Sequence, residues 1–351
     1  MLRLMIQSLK VAAILVLAFV VLFTTQRAIS HYVTSAHGND SAPITFVVTE
    51  NETVNQVADN LKRDGLIRFP TYFKLKMRLA HADSNLKAGR FTLYKGMSTD
   101  QIISALTTAE NVQVITVRFQ EGWRTEQYAD ALVKAGLFQS PDDFMSAIKS
   151  NTWNYDFLAT RTSNATLEGF LFPDTYQFRA DATPEDVINT LLQTFGNKVP
   201  KEERDRAQQL GLNFFQVMTI ASIVEREAAV DSERPIIASV YYNRIKQNMP
   251  LQADPTVQYA MGNAQNDWWP QLQPGDPQKI NSPYNTYQSP GLPPGPICNP
   301  SLKSIQAALN PANTTFLYFV AKNDGSGEHY FANTLDEQKA NIQKSEQNSS
   351  P

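Results

Sequence analysis

The segment FVVTENETVNQVADNL, residues 46–61, returns in outline twice further along the chain. Its echoes are FTLYKGMSTDQIISAL (91–106) and VRFQEGWRTEQYADAL (117–132). Each copy opens on an apolar residue (Phe46, Phe91, Val117), carries glutamine ten positions later (Gln56, Gln101, Gln127) and leucine fifteen positions later (Leu61, Leu106, Leu132). The phrase reads as a strand, a turn and a capped amphipathic helix. Thr53, Ser98 and Thr125 stand at or near the helix start, where a side-chain oxygen can accept a backbone N–H. Val57, Leu61, Ile102, Leu106, Tyr128 and Leu132 recur at helical spacing and form a core stripe. Gly96 and Gly122 suit the turn between strand and helix. A unit this short cannot bury its apolar face alone, so it needs neighbours, and repetition supplies them. The pattern predicts an α+β fold.

Composition narrows the function classes. The chain has 351 residues, 42 % of them hydrophobic and 19 % charged, which is a folded rather than a disordered composition. A net charge of −3 and the absence of a Lys/Arg cluster argue against nucleic acid as a partner. Cys298 is the only cysteine, so no intramolecular disulfide or Cys-based zinc site can form. The four histidines, His31, His37, His81 and His329, lack metal-ligand spacing. Neither a metal nor a cofactor is expected.

The N-terminus carries a topology signal. Lys10 precedes the 16 uncharged residues VAAILVLAFVVLFTTQ, which end at Arg27. Leu9 and snorkelling of Lys10 and Arg27 bring this close to the roughly 20 residues of a span. FTTQRAIS is a poor signal-cleavage site, so an uncleaved anchor is expected over residues 9–26. Arg3 and Lys10 hold the short flank, residues 1–8, in the cytoplasm, and the rest then lies across the membrane. Residues 27–43 are polar and read as a linker.

The remainder alternates clear helices with one long irregular stretch. EGFLFPDTY (168–176) turns at Pro173 and Asp174 between short strands. Thr183-Pro184-Glu185-Asp186 starts a helix, with a cap, a first-turn proline and acids at the positive end. A second helix runs from Phe214 to about Ala228, and a third begins near Ser232 with Pro235 in its first turn. Residues 249–300 are rich in Pro, Gly, Asn and Tyr, and a stretch so long without clear periodicity is usually functional or disordered. Its aromatics argue against disorder. FLYFVAK (316–322) and HYFAN (329–333) form a hairpin around Asn323-Asp324-Gly325. The tail is expected to be solvated.

The helix 214–228 ends in the sequence ASIVEREAAV (221–230), where an apolar face gives way to Glu225 and Glu227. Two residues apart, they lie about 200° apart around a helix. They cannot form the facing carboxylate pair that flanks a sugar bond in a standard glycosidase. Glu227 follows Ile220, Ile223 and Val224, so its carboxyl is desolvated and suited to general-acid work; Glu225 follows the smaller, more polar Met218, Ala221 and Ser222. The plain alternative is that both glutamates mark a helix end emerging into solvent. In LQADPTVQYAMG (251–262), Gln252, Asp254 and Thr256 alternate with apolar residues and would face one way if extended, as a hydrogen-bonding wall for sugar hydroxyls. A capped turn entering a helix at Thr256 fits equally well. In SPYNTYQSPGLPPGPI (282–297), prolines stiffen a loop that presents Tyr284, Asn285 and Tyr287. A rigid surface loop or a Pro-rich partner ligand would look the same.

ASIVEREAA, LQADPTVQYAMG, YNTY and GLPPGPI, in this order and spacing, resemble the endolytic murein transglycosylases of the MltG (YceG-like) family, as do LKAGRFTL (86–93), EGW (121–123) and EGFLFPDTY. The resemblance spans about residues 45 to 335 plus the anchor. It implies a single-pass inner-membrane protein with a periplasmic catalytic domain, no cofactor, and peptidoglycan as substrate. Penicillin-binding cell-wall synthases are the partners it implies. The repeat region is then a LysM-like module at 44–155, followed by a mixed α/β catalytic domain at 156–340 and a tail at 341–351. The family's essential glutamate falls on Glu227, with Glu225 supporting it. Gln252, Asp254 and Thr256 match a second motif, and the Tyr284–Tyr287 segment a third. Trp268 and Trp269, between Gly262 and Pro283, depart from the family pattern. A non-catalytic wall-binding scaffold, or a water-using muramidase with Asp254 as base, are the other readings.

Overall fold

The computed structural model describes Thr24 and residues 43–49, 52–108, 114–149, 153–162, 164–265 and 267–349. Apart from Thr24 and residue 43, the anchor and linker expected at 9–43 lie outside this set. Among the described residues no helix is long and apolar enough to cross a membrane. The chain divides into two compact units, one ending at Ile115 and joined by Arg179–Asp181, the other formed by Thr116–Phe178 and Ala182 onward. The boundary falls well before the division expected at residue 155.

The first unit holds two copies of the repeated phrase. Strand β1 (Ile44–Val48) pairs antiparallel with β2 (Gly89–Leu93), with Phe46 opposite Phe91. Helices α1 (Val54–Arg63), α2 (Pro70–Leu79) and α3 (Thr99–Thr107) complete it. The shared glutamine has a capping role. Gln56 accepts from the Thr53 N–H at 2.8 Å while Thr53 Oγ1 accepts from the Gln56 N–H at 3.3 Å. Gln101 and Ser98 make the same reciprocal pair at 2.8 and 3.2 Å. Each box satisfies orphan donors at a helix start. The shared leucines, Leu61 and Leu106, are fully buried with Phe46, Val57, Phe73, Met77, Phe91 and Ile102. Each such side chain contributes roughly 1.5–3 kcal/mol by burial.

The third copy belongs to the second unit. Its strand β3 (Val114–Arg118) pairs with β4 (Thr175–Arg179), which follows the Pro173-Asp174 turn. Only the segment after that turn is a strand. Its helix α4 (Thr125–Lys134) keeps the capping glutamine, since Gln127 accepts from the Arg124 N–H at 3.0 Å. The cap position itself is Arg124, and Thr125 is buried inside the helix. Helix α5 (Pro141–Ile148) packs beside α4. Helix α6 (Pro184–Lys198) starts on the expected Thr183–Asp186 cap.

The centre of this unit is α7 (Phe214–Glu227), packed against α8 (Arg234–Lys246), α9 (Asp254–Met261) and α10 (Leu302–Leu309). Phe157, Phe170, Phe195, Phe214 and Phe215 form an aromatic cluster at its N-terminal end. The hairpin β5 (Tyr318–Ala321) and β6 (His329–Ala332) turns through Asn323 and Gly325, both with positive φ. The C-terminal segment is largely exposed, as its polarity predicts, but it is helical. It lies in α11 (Leu335–Asn348), where Asn341 and Ser345 are buried and Asn348 donates to the Lys322 carbonyl at 2.6 Å.

Candidate active site

Helix α7 is capped at Asn213, whose Oδ1 accepts from the Gln216 N–H at 2.9 Å. It is buried continuously from Val217 to Val224. It stops at Glu227, because Ala228 leaves the helical region at φ −80° and ψ 117°. The last three residues then serve three directions.

Glu225 turns inward. It pairs with Arg234 at 3.3 Å, and the two side chains are only 8 % and 10 % exposed. It also accepts from the Ser301 N–H at 3.0 Å and the Ser301 hydroxyl at 2.5 Å. Ser301 caps α10, so Glu225 ties the end of α7 to the start of α10. It is not a solvated residue. Arg226 lies 4.0 Å over the Trp269 ring.

Glu227 takes the third direction. The Tyr241 hydroxyl on α8 donates to its Oε1 at 2.8 Å. Burial pushes the Glu227 carboxyl up from 4.5 to about 7; the Tyr241 bond opposes this and the charge of Asp254 adds to it. The residue keeps part of its surface in solvent. It is therefore a carboxylic acid available at neutral pH, the protonation state that general-acid catalysis requires. Tyr241 is 1 % exposed, and burial together with the Glu227 charge raises its own pKa well above the usual phenol value. It acts as a fixed donor. One turn further on, Arg244 donates to the carbonyls of Leu251 at 2.7 Å and Leu317 at 2.6 Å. This fixes the start of the 251–262 motif.

Asp254 opens α9 and is exposed; its Oδ1 accepts from the Tyr287 hydroxyl at 2.6 Å. This bond joins two of the motifs. The row of side chains expected from an extended 252–256 does not form, because the helix begins at Asp254 rather than at Thr256. Gln252 is exposed, with φ 46°, and its N–H donates to the Thr286 carbonyl at 3.2 Å. Thr256 points inward and is fully buried, bonded to the Ala253 carbonyl at 2.6 Å and the Thr286 hydroxyl at 2.9 Å. Asn285 is also fully buried. It donates to the carbonyls of Pro277 and Ile280 at 2.8 Å each and accepts from the Tyr287 N–H at 3.0 Å. Thr256 and Asn285 are sealed among their own loops, which they shape to present Asp254 and Tyr287. Tyr284 is half-buried against Tyr259, with ring centroids 4.7 Å apart.

The Pro-rich segment lies at the surface through Pro290 and enters the core at its C-terminal end. Ile297 donates to Ser222 Oγ at 3.0 Å, and Cys298 and Asn299 are fully buried. Asn299 accepts from the Gly169 and Leu171 N–H groups at 2.9 and 3.1 Å and donates to Glu168 at 3.0 Å. Glu168 in turn accepts from the Thr125 N–H, and Asn299 exchanges backbone bonds with Gly122 and Trp123, so EGW, EGFLFP and PICNP meet at one hub. A side chain at Gly169, with φ +89°, would meet Pro296 at 2.6 Å. Among the described residues no group of His, Cys, Asp and Glu is placed to hold a metal ion. A cavity of about 570 Å³ between Arg206, Arg234 and Lys303 does not include Glu227.

Tyr241 is the neighbour of Glu227 that sequence reasoning missed. The one available signal for Tyr241 was a tyrosine within a buried helix, where a hydroxyl needs a partner.

The model of the YceG-like family matches residues 46–344 of this chain. The chain belongs to the YceG-like family. It is 34 % identical over 307 residues to an endolytic murein transglycosylase of Bacillus subtilis, covering 83 % of this chain and 81 % of that one. An endolytic murein transglycosylase of Streptococcus pneumoniae is 29 % identical over 326 residues, 87 % of this chain but only 58 % of the relative. A crystal structure of a YceG-like protein from Listeria monocytogenes matches with a TM-score of 0.56 and 30 % identity, covering 85 % of this chain and 98 % of that one.

Proposed function

We propose that this YceG-like family member is a lytic transglycosylase that cleaves peptidoglycan glycan strands internally, with Glu227 as the single acid–base residue. The observation that carries this is the Glu227 carboxyl, half-buried at a helix end, held by Tyr241 and raised to about 7. The bond cut is the β-1,4 link from N-acetylmuramic acid to N-acetylglucosamine. Glu227 gives its proton to the glycosidic oxygen as the C1–O bond breaks. The resulting carboxylate takes the proton of the muramyl 6-hydroxyl, whose oxygen closes on C1 as a 1,6-anhydro ring. The proton count balances, and water does not enter the products. Asp254 and Tyr287 hold the sugar at the open side, with Gln252 and Tyr284 flanking.

In this reading residues 9–26 anchor the chain in the inner membrane with the N-terminus cytoplasmic. The first unit is a LysM-like wall-binding module. Cleavage beside a synthase of the penicillin-binding class then ends strand elongation. The exposed Asp254 carboxylate, close enough to act on Glu227, favours a second reading as a water-using muramidase. Mass spectrometry of digested, purified peptidoglycan separates the two. Anhydro ends support the transglycosylase; reducing ends, one water heavier, select the muramidase. No product at all, with peptidoglycan binding intact, would leave a non-catalytic wall-binding scaffold.

A further inference from the structure

Beside the Glu227 end of α7, four aromatic rings stand in a row, and of these only Tyr284 enters the reaction above. Tyr284 packs on Tyr259 at 4.7 Å, and Tyr259 approaches Trp269 at 6.4 Å, with Trp268 next in the chain. Two arginines hold the row from behind. Arg226, the residue adjacent to Glu227, lies 4.0 Å over Trp269. Arg124, 4 % exposed, lies 3.9 Å over Tyr259 and within 5.3 and 5.5 Å of Trp268 and Trp269.

The backbone is fixed as firmly as the rings. Arg124 donates to the carbonyls of Tyr259 at 2.8 Å, Gly262 at 3.2 Å and Trp268 at 3.1 Å. The Asn263 N–H closes the small loop onto the Asp267 carbonyl at 3.0 Å. The Trp268 carbonyl comes so close to Gly262 that a Cβ there would stand 2.0 Å away, so only glycine fits. Trp269 N–H donates to Asp267 Oδ1 at 3.1 Å, and Gln258 holds the Pro270 carbonyl at 3.1 Å.

A purely structural cluster would be sealed, as Phe157, Phe170 and Phe195 are in this same unit. Tyr259, Trp268, Trp269 and Tyr284 are all half-exposed instead. Rigid, partly exposed aromatic faces next to an acid suit the apolar face of a pyranose ring, because little conformational freedom is lost on binding. We propose that Trp268 and Trp269, with Tyr259, form a saccharide-stacking subsite that holds the glycan strand alongside the bond to be cut, and that Arg226 couples this platform to the catalytic helix end.

The proposal rests on the glycan-cleaving reading, and its test separates the two. The full chain in detergent, carrying Glu227→Gln so that nothing is consumed, is titrated with N-acetylglucosamine hexamer while tryptophan emission is followed. Saturable quenching is expected, and it should be lost in the Trp269→Ala double variant. In the active enzyme, Trp268→Ala and Trp269→Ala should each raise KM for peptidoglycan about tenfold or more, with kcat within about threefold. Trp269→Phe should restore most of the loss, which guards against misfolding of the alanine variant. An active parent enzyme with unchanged KM in both alanine variants would overturn the subsite and leave the reaction intact. A parent that releases no product, yet whose emission is quenched through Trp269, would overturn the reaction and leave the subsite standing.

Discussion

Replacing Glu227 by Gln should make the protein more stable above neutral pH while removing its activity. In the folded chain the carboxyl sits at about 7 against an ordinary value of 4.5, chiefly because burial disfavours its charged form. A group raised on folding favours the folded state fully below the unfolded value, and that benefit fades as pH rises through the folded value. Ionising Glu227 in place therefore costs up to about 3 kcal/mol, trimmed to about 2–3 kcal/mol by solvent on its open side. Gln keeps the oxygen that accepts from Tyr241 but carries no charge. Below about pH 4.5 the two proteins should be equally stable. Between pH 5 and 8 their curves should separate, with the Gln variant ahead by that amount at pH 8. Denaturant unfolding of both proteins across this range measures the gap. Subtracting one curve from the other cancels Glu168, another buried carboxyl that burial pushes up. Activity on peptidoglycan should fall at least 100-fold, toward 10,000-fold. Parallel stability curves would refute the desolvated-acid argument, even if activity were lost.

Other perturbations follow from the same geometry. Tyr241→Phe deletes the donor that holds the Glu227 pKa down, so the alkaline limb of the pH–rate profile should move to higher pH. Glu225→Ala leaves Arg234 with Asp231 as its ion partner and strips the Ser301 N–H of its acceptor; it should cost about 1.5–3 kcal/mol in a thermal or denaturant melt. Gly169→Ala meets Pro296 at 2.6 Å with positive φ, and should destabilise by at least about 1 kcal/mol in the same assay.

Local rules in the sequence reached surprisingly far into the fold, and their failures share a cause. The shared glutamines cap the helix start in all three phrases, with a full capping box in the first two, and the shared leucines are core positions, because caps and helix stripes are set within a few residues. Nothing local says which strand a strand will pair with, so the pairing that joins the third phrase to β4 in the second unit is not legible in the repeat. The apolar neighbours of Glu227 pointed to a desolvated carboxyl, since a helix carries its own stripe to its end. Tyr241 could not be matched to it, because the partner lies on another helix and the pairing depends on tertiary packing. The alternation at 252–256 left an extended wall and a turn into a helix equally open. The helix forms, two residues earlier than Thr256, and sends Thr256 inward. Asn285 looked like a ligand contact, but its amide is spent organising its own loop.

The division of labour at the end of α7 has a consequence for how this chain can change. Three successive side chains answer to three separate parts of the molecule: Glu225 to α10, Arg226 to the tryptophan loop and Glu227 to α8. Each is offset from the next by about 100° around the axis. Removing or adding one residue between the Asn213 cap and Glu225 would rotate all three together, giving each one its neighbour's surroundings. A carboxylate would then face the indole in place of the Arg226 guanidinium, and the acid would lose its phenol. Substitutions along α7 can be absorbed singly, but its length cannot drift, so insertions and deletions should be confined to the loops before Asn213 and after Ala228.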